Sequence, residues 1–235
     1  MCRTLVGTAA ALFAQCALVA LSLGEGAGAG EVRTPKKADI PAPLKELKPG
    51  FVAVDISGFF NNDAFSDEAD WTDSDFDLWR QSFPADEVPP AGPFEPKGTG
   101  TLFLFPNKEK GKKNNVACGG QRIPLSGRAK ELHFLVTATD YEQEEKLTIQ
   151  YAEGEAKVDF KVSDWCQQAQ FGEKAGVECA HRVAVDSEGK NVLSKEKRTI
   201  RIWVVAVPLD GQRELKTLVL PRNLEVHVFA LTLAR

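Results

Sequence analysis

The densest set of chemically useful side chains lies between residues 58 and 100. Asp63, Asp67, Glu68, Asp70, Asp73, Asp75 and Asp77 make residues 63–77 the most acidic stretch of the chain. Asp73, Asp75 and Asp77 stand at alternate positions and offer hard oxygens of the kind that Ca²⁺ gathers six to eight of. The D-x-D-x-D spacing is that of an EF-hand loop, but the required glycine and the distal glutamate are missing. Two readings follow: a structural calcium site, or a solvated acidic loop balanced by Lys97, Lys108, Lys110, Lys112 and Lys113. Trp71 and Trp79 sit among these carboxylates. An indole face can stack on the apolar face of a pyranose, and Asp70 and Arg80 stand beside the rings to take sugar hydroxyls. Trp71, Trp79, Asp70 and Arg80 are therefore the candidate ligand-binding residues, against the general tendency of tryptophan to pack.

The remaining functional types point away from catalysis. His133, His181 and His227 are each alone in strand-like sequence, where a hydrogen-bonded strand histidine is the expected role. No G-x-S-x-G, P-loop or H-E-x-x-H is present. Carboxylate pairs for glycoside hydrolysis can be drawn from so many Asp and Glu residues that no pair stands out. Trp165 and Trp203 lie in apolar strand sequence and read as core. The expectation is a chain without catalytic residues.

Composition sets the class. Of 235 residues 43% are hydrophobic and 26% charged, an ordinary folding composition, and 29 basic against 33 acidic residues give a net charge of −4. That balance lacks the electrostatic footprint of non-specific nucleic-acid binding. Arg3, an uncharged run over residues 5–23 and Ala27-Gly28-Ala29 fit a cleaved export signal, with an uncleaved anchor as the other reading. The organisation expected is a signal peptide over 1–29, a Pro/Lys/Gly-rich linker over 30–50 and one domain over 51–235. The protein is then exported (periplasmic, cell-surface or extracellular), with no membrane attachment after cleavage. The mature part keeps Cys118, Cys166 and Cys179. Cys166 and Cys179 close a short polar loop and are the expected disulfide, while Cys118 reads as a buried hydrophobe.

These residues must be carried on strands. Residues 101–105 (TLFLF), 132–138 (LHFLVTA), 146–151 (KLTIQY), 156–162 (AKVDFKV), 182–185 (RVAV), 200–207 (IRIWVVAV) and 224–233 (LEVHVFALTL) are dense in β-branched and aromatic residues. No sustained helical stripe occurs. Glu153-Gly154, Glu188-Gly189 and Asp210-Gly211 fall where hairpin turns belong, the last most clearly. Eight to ten short strands imply an all-β, antiparallel two-sheet sandwich of jelly-roll type. Residues 58–100, a long acidic and aromatic loop after the first strand, carry eight aromatic rings and should pack onto that sandwich.

With the strands placed, the order of motifs resembles the galactose-binding-like jelly-roll domains of bacterial exported proteins, as found accessory to glycoside hydrolases. The likeness runs collinearly through FVAVDIS with Asn61-Asn62, Phe83-Pro84 to Pro93-Phe94, and Asn114-Asn115-Val116 with GQRIPL. It continues through LHFLVTA, Ile149-Gln-Tyr151 with Gly154, Ser163-Asp164-Trp165, and the TLVLP and VHVFALTL end. It covers nearly all of residues 51–233, with Glu153 where such domains often show Asp. The resemblance implies a jelly roll and often sugar binding, but a fold hosts many functions. The expected function is a non-catalytic module binding carbohydrate or glycoconjugate, with no cofactor beyond the calcium considered above. The alternatives are a polysaccharide hydrolase using loop carboxylates and a purely structural protein–protein module.

Overall fold

The computed structural model describes residues 46, 48–67, 69, 74, 76–185 and 193–235. The β-branched and aromatic runs become strands, and the first pairs with the last. β1 (Phe51–Val54) runs antiparallel to the end of β14 (Arg222–Ala234), with Phe51 opposite Ala234. The sheet continues through β8 (Glu131–Ala138) and β12 (Leu193–Pro208) to β11 (Lys174–Val185), in the order β1-β14-β8-β12-β11. β6 (Val116–Gly119) is its sixth strand and pairs with the beginning of β14. The second sheet has the order β10-β9-β13-β7, formed by β10 (Glu155–Val162), β9 (Gln143–Tyr151), β13 (Leu215–Val219) and β7 (Arg122–Pro124). Every pairing within the two sheets is antiparallel. The all-β, two-sheet antiparallel sandwich expected from the sequence is therefore what forms.

Two apolar cores hold it together. One lies between the sheets and contains Phe134, Val136, Trp203, Val228 and Leu231 from the first sheet with Ile149, Phe160 and Leu218 from the second. The other lies on the opposite face of the six-stranded sheet. There Leu135, Val177, Ile200, Ile202 and Phe229 meet Phe65, Phe76, Phe83, Phe103 and Phe105 from the long segment after β1. Two short ribbons brace that segment: β2 (Phe65–Ser66) parallel to β3 (Phe83–Pro84), and β4 (Gly92–Phe94) antiparallel to β5 (Phe103–Phe105). The aromatic loop thus packs on the sandwich as its composition demands, each buried ring contributing about 1.5–3 kcal/mol.

The second core explains why LEVHVFALTL alternates only in part. Val226 and Val228 point between the sheets, and so do Leu231 and Leu233. Phe229 and Ala230 both turn to the other face. A register shift between Val228 and Ala230 changes the parity, an extra residue doing what a bulge does.

Two sequence expectations are corrected. Asp210-Gly211 does form a turn, with Asp210 O accepting the Arg213 N–H at 3.1 Å and Asp210 Oδ1 the Gln212 N–H at 3.0 Å. The turn is not a hairpin: it carries the chain from β12 in one sheet to β13 in the other, because both edges of β12 are already taken by β8 and β11. Glu153-Gly154 does close the β9–β10 hairpin, with Gly154 at φ +76°. Glu188-Gly189 lies outside the described residues. The second correction concerns sulfur. Cys118, Cys166 and Cys179 are all free thiols, so the Cys166–Cys179 bond is not formed. Cys179 turns from β11 into the second core, with its Sγ 3.7 Å from Glu87 O. Cys166 sits in a turn fixed by Asp164 and has Arg182 Nη1 3.9 Å from its sulfur. Cys118 is buried, as the sequence suggested.

Candidate functional site

Among the described residues, exposed large apolar groups include Leu78 and Trp79 in the long segment and Tyr141 between β8 and β9. Phe76 anchors the segment, its ring 5.4 Å from Phe83, 5.0 Å from Trp165 and 4.5 Å from His227. Asp77 then caps the turn that follows: its Oδ1 accepts the N–H groups of Trp79 at 2.9 Å and of Gln81 at 2.7 Å. With both flanks pinned, the tip turns outward, leaving Leu78 86% and Trp79 68% exposed. Arg80 follows at φ +60°, a left-handed conformation rare for a side chain of its size.

A second turn lies between β8 and β9. Asp164 Oδ2 accepts the Tyr141 N–H at 3.1 Å, while its Oδ1 accepts the Cys166 N–H at 2.6 Å. Asp140 and Tyr141 both have positive φ, +53° and +81°, and Tyr141 is 72% exposed. Among the described residues, Arg80, Asp140 and Tyr141 are the non-glycine positions in this region of backbone space. All three lie in these two turns. Backbone held in sparsely populated conformations persists only where its surroundings over-determine it, and such positions cluster at binding sites.

Charge joins the two turns. Glu225 accepts the Thr139 hydroxyl and lies near enough to raise the pKa of Asp77. Arg182 donates to Gln81 Oε1 at 2.7 Å and lowers it. Burial is the largest influence, and it pushes the Asp77 carboxyl up to about 6 against the pull of the two backbone donors. Burial likewise raises the carboxyl of Asp164.

Of the residues singled out by sequence, Trp79, Arg80 and Asp77 come together on this turn. Asp70, Trp71, Asp73 and Asp75 lie outside the described residues, as do the signal peptide 1–29 and all of the linker 30–50 except 46 and 48–50. Among the described residues no group of three His, Cys, Asp or Glu side chains could hold a metal ion. Asp77 instead gives a carboxylate oxygen to backbone amides. Trp165 and Trp203 are core, as expected. The histidines are hydrogen-bonded: His227 Nδ1 to Asn115 Oδ1 at 2.9 Å, His181 Nδ1 to Glu87 Oε1 at 2.7 Å, and His133 to two partners.

Those two partners form a chain that sequence reasoning missed. Thr101 Oγ1 lies 2.9 Å from His133 Nδ1, and Glu131 Oε2 lies 2.9 Å from His133 Nε2. The order hydroxyl–imidazole–carboxylate is that of a nucleophilic triad. Thr101 is only 1% exposed, and the chain of hydrogen bonds fastens it to β8. The Glu-x-His spacing on one strand face was legible; the threonine, thirty positions away, was not. Tyr141 was missed too, because nothing in its sequence context says that the ring faces outward.

The sequence model of the AziU2-like beta-sandwich domain matches residues 52–235, which spans both sheets and both turns. The chain belongs to this family. The assignment agrees with the sandwich read from the sequence, and the family's boundary at Val52 falls one residue inside β1. The family description specifies a fold and leaves the ligand open. No curated protein matches the chain.

Proposed function

We infer that the sandwich is a non-catalytic binding module for carbohydrate or glycoconjugate, and that its site is the end formed by the Asp77–Gln81 and Asp140–Tyr141 turns. The observation that carries this reading is Trp79: an indole left largely in water by a turn whose flanks are both tied down. An aromatic platform needs a free face, a rigid mount and polar neighbours for hydroxyls. Trp79 and Tyr141 supply the rings, and Arg80 and Glu225 the polar groups. The likeness to galactose-binding-like jelly rolls supports the same ligand class, and the export signal read at residues 1–29 fits a ligand met outside the cell. A structural calcium on Asp73, Asp75 and Asp77, as the sequence suggests, belongs to the same proposal.

The test is a glycan array with and without chelator, followed by isothermal titration of Trp79→Ala and Tyr141→Ala with a glycan that binds the parent. At least tenfold weaker binding is expected for Trp79→Ala, with little dependence on salt. If both variants stay folded and bind as the parent does, the site lies elsewhere. A polysaccharide hydrolase is the second reading, favoured by one observation: a carboxyl raised to about 6 beside another carboxylate is the pattern of a general acid. Turnover of the bound glycan that is lost in Asp77→Asn would select that reading.

A further inference from the structure

We propose that the protein forms a two-fold homodimer in which β10 of one copy pairs antiparallel with β10 of a second, joining the two four-stranded sheets into one. β10 is the outer strand of the sheet β10-β9-β13-β7, so one of its edges has no neighbour in that sheet. The hairpin fixes which backbone groups point that way. The Tyr151 N–H donates to Gly154 O at 3.0 Å, and Glu155 stands opposite Gln150. Antiparallel pairs alternate between hydrogen-bonded and non-hydrogen-bonded, so Ala156, Val158, Phe160 and Val162 turn their N–H and C=O groups to β9. Those of Glu155, Lys157, Asp159 and Lys161 turn outward, and such a row is a template for another strand. Its Asp159–Lys161 half looks onto a cleft of about 480 Å³ whose lining includes Val204, Val205 and Ala206 of β12.

Charge selects the occupant. Glu155, Lys157, Asp159 and Lys161 are also the exposed side chains of the strand, and their signs alternate. With the two-fold axis at Val158, Glu155 of one copy stands opposite Lys161 of the other, and Lys157 stands opposite Asp159. Every cross-strand pair on the exposed face is then of opposite sign. A slide of two residues is the smallest that keeps outward backbone groups facing each other, and it sets Lys157 or Asp159 opposite its own copy. Like charges directly opposite are destabilising, so the symmetric register is the one that matches along the whole strand. Another protein's strand could use the same backbone row, but this order of charges is complementary to itself and needs no second protein.

The pairing takes no charge away from the fold. Lys157 faces Thr148 on β9 and makes no ion pair among the described residues. Glu155 Oε2 accepts from Gln150 Nε2 at 3.4 Å. Asp159 and Lys161 keep Lys146 and Glu144 on β9 and gain an opposite charge on the far side, which extends two existing pairs across the joined sheet. On the inner face Ala156 and Val158 are half-buried against the core. The second copy covers both, and Val158 meets its own copy on the axis.

The experiment is sedimentation velocity of the full chain over a range of concentrations, with circular dichroism to confirm that each variant is folded. A reversible monomer–dimer equilibrium is expected. Lys157→Glu sets acidic groups opposite one another on both sides of the axis, and Asp159→Lys does the same with basic groups. Each should weaken the dimer about tenfold. Mixed in equal amounts, the two variants should pair with each other about as tightly as the parent pairs with itself, because acid then meets base at both positions. Trp79→Ala, on the Asp77–Gln81 turn, should leave the dimer unchanged, so this result is separate from that of the sugar titration. A monomer at every concentration would leave the edge to another protein's strand and overturn the proposal. A dimer indifferent to both charge variants, or variants that stay apart when mixed, would overturn it as well.

Discussion

Replacing Asp77 by asparagine should stabilise the protein at neutral pH, and the structure sets the size of the gain. The carboxyl is held at about 6 in the fold, chiefly by burial, against an ordinary aspartate value of about 3.9. Because its folded pKa is raised, the native state binds more protons than the unfolded chain between those values. Stability attributable to this group therefore falls as pH rises through that window, and the full penalty stands above pH 6. At about 1.36 kcal/mol for each tenfold change in proton affinity, the gap corresponds to about 3 kcal/mol. Asp77 is half-buried, so solvent screening reduces the figure to about 1–2 kcal/mol. Asparagine keeps an oxygen for the Trp79 and Gln81 N–H groups and removes the charge. Urea denaturation of parent and variant at pH 4, 5, 6, 7 and 8 measures it. The variant's advantage should be near zero at pH 4 and grow to about 1–2 kcal/mol by pH 7, and working with the difference cancels other titrating groups such as Asp164. A variant less stable than the parent at pH 7 would show that the carboxylate charge holds the turn, refuting the argument from burial.

Three further outcomes follow from the packing. Gly176→Ala places a Cβ 2.5 Å from Leu135 Cδ1 and 3.2 Å from Ile202 O, and should destabilise by about 1–3 kcal/mol in the same assay. Phe83→Ala opens the second core where Phe65, Phe76, Trp165 and Phe229 surround the ring. It should cost about 3–5 kcal/mol and bring protease cleavage within residues 60–95 while the sandwich strands stay intact; equal protection of that segment in variant and parent would refute the account of the loop. Thiol titration of denatured protein expressed without residues 1–29, in the absence of reductant, should find three reactive groups. The native protein should react slowly, because burial pushes Cys166 up to about 11 and Cys179 up to about 12 and raises Cys118 as well. Two thiols missing after denaturation would instead restore the Cys166–Cys179 bond.

The sequence by itself determined the class of fold, and it did so through side-chain chemistry that acts locally. Runs such as LHFLVTA and IRIWVVAV are β-branched and aromatic throughout, so they form strands wherever they pack, and turn residues between them limit each strand's length. The burial of the long acidic segment was legible for the same reason, since rings such as Phe65, Phe76 and Phe83 are too apolar to remain in water. What sequence could not supply was parity and partnership. Whether Phe229 faced the core between the sheets or the opposite face depended on one extra residue in β14, and that shift has no compositional mark. Asp210-Gly211 looked the same as a hairpin turn, because a turn's chemistry does not say which strand follows it into which sheet. Trp79 and Trp203 are the same residue type, and only their neighbours separate a solvent-facing ring from a core ring: Asp77's grip on two backbone amides in one case, an apolar strand beneath another sheet in the other. Tertiary structure also decided the chemistry of single groups. The elevated pKa of Asp77, the hydrogen bond that ties Thr101 to His133, and the separate surroundings of Cys166 and Cys179 all arise from groups far apart in the chain, where desolvation and through-space charge act without regard to sequence order.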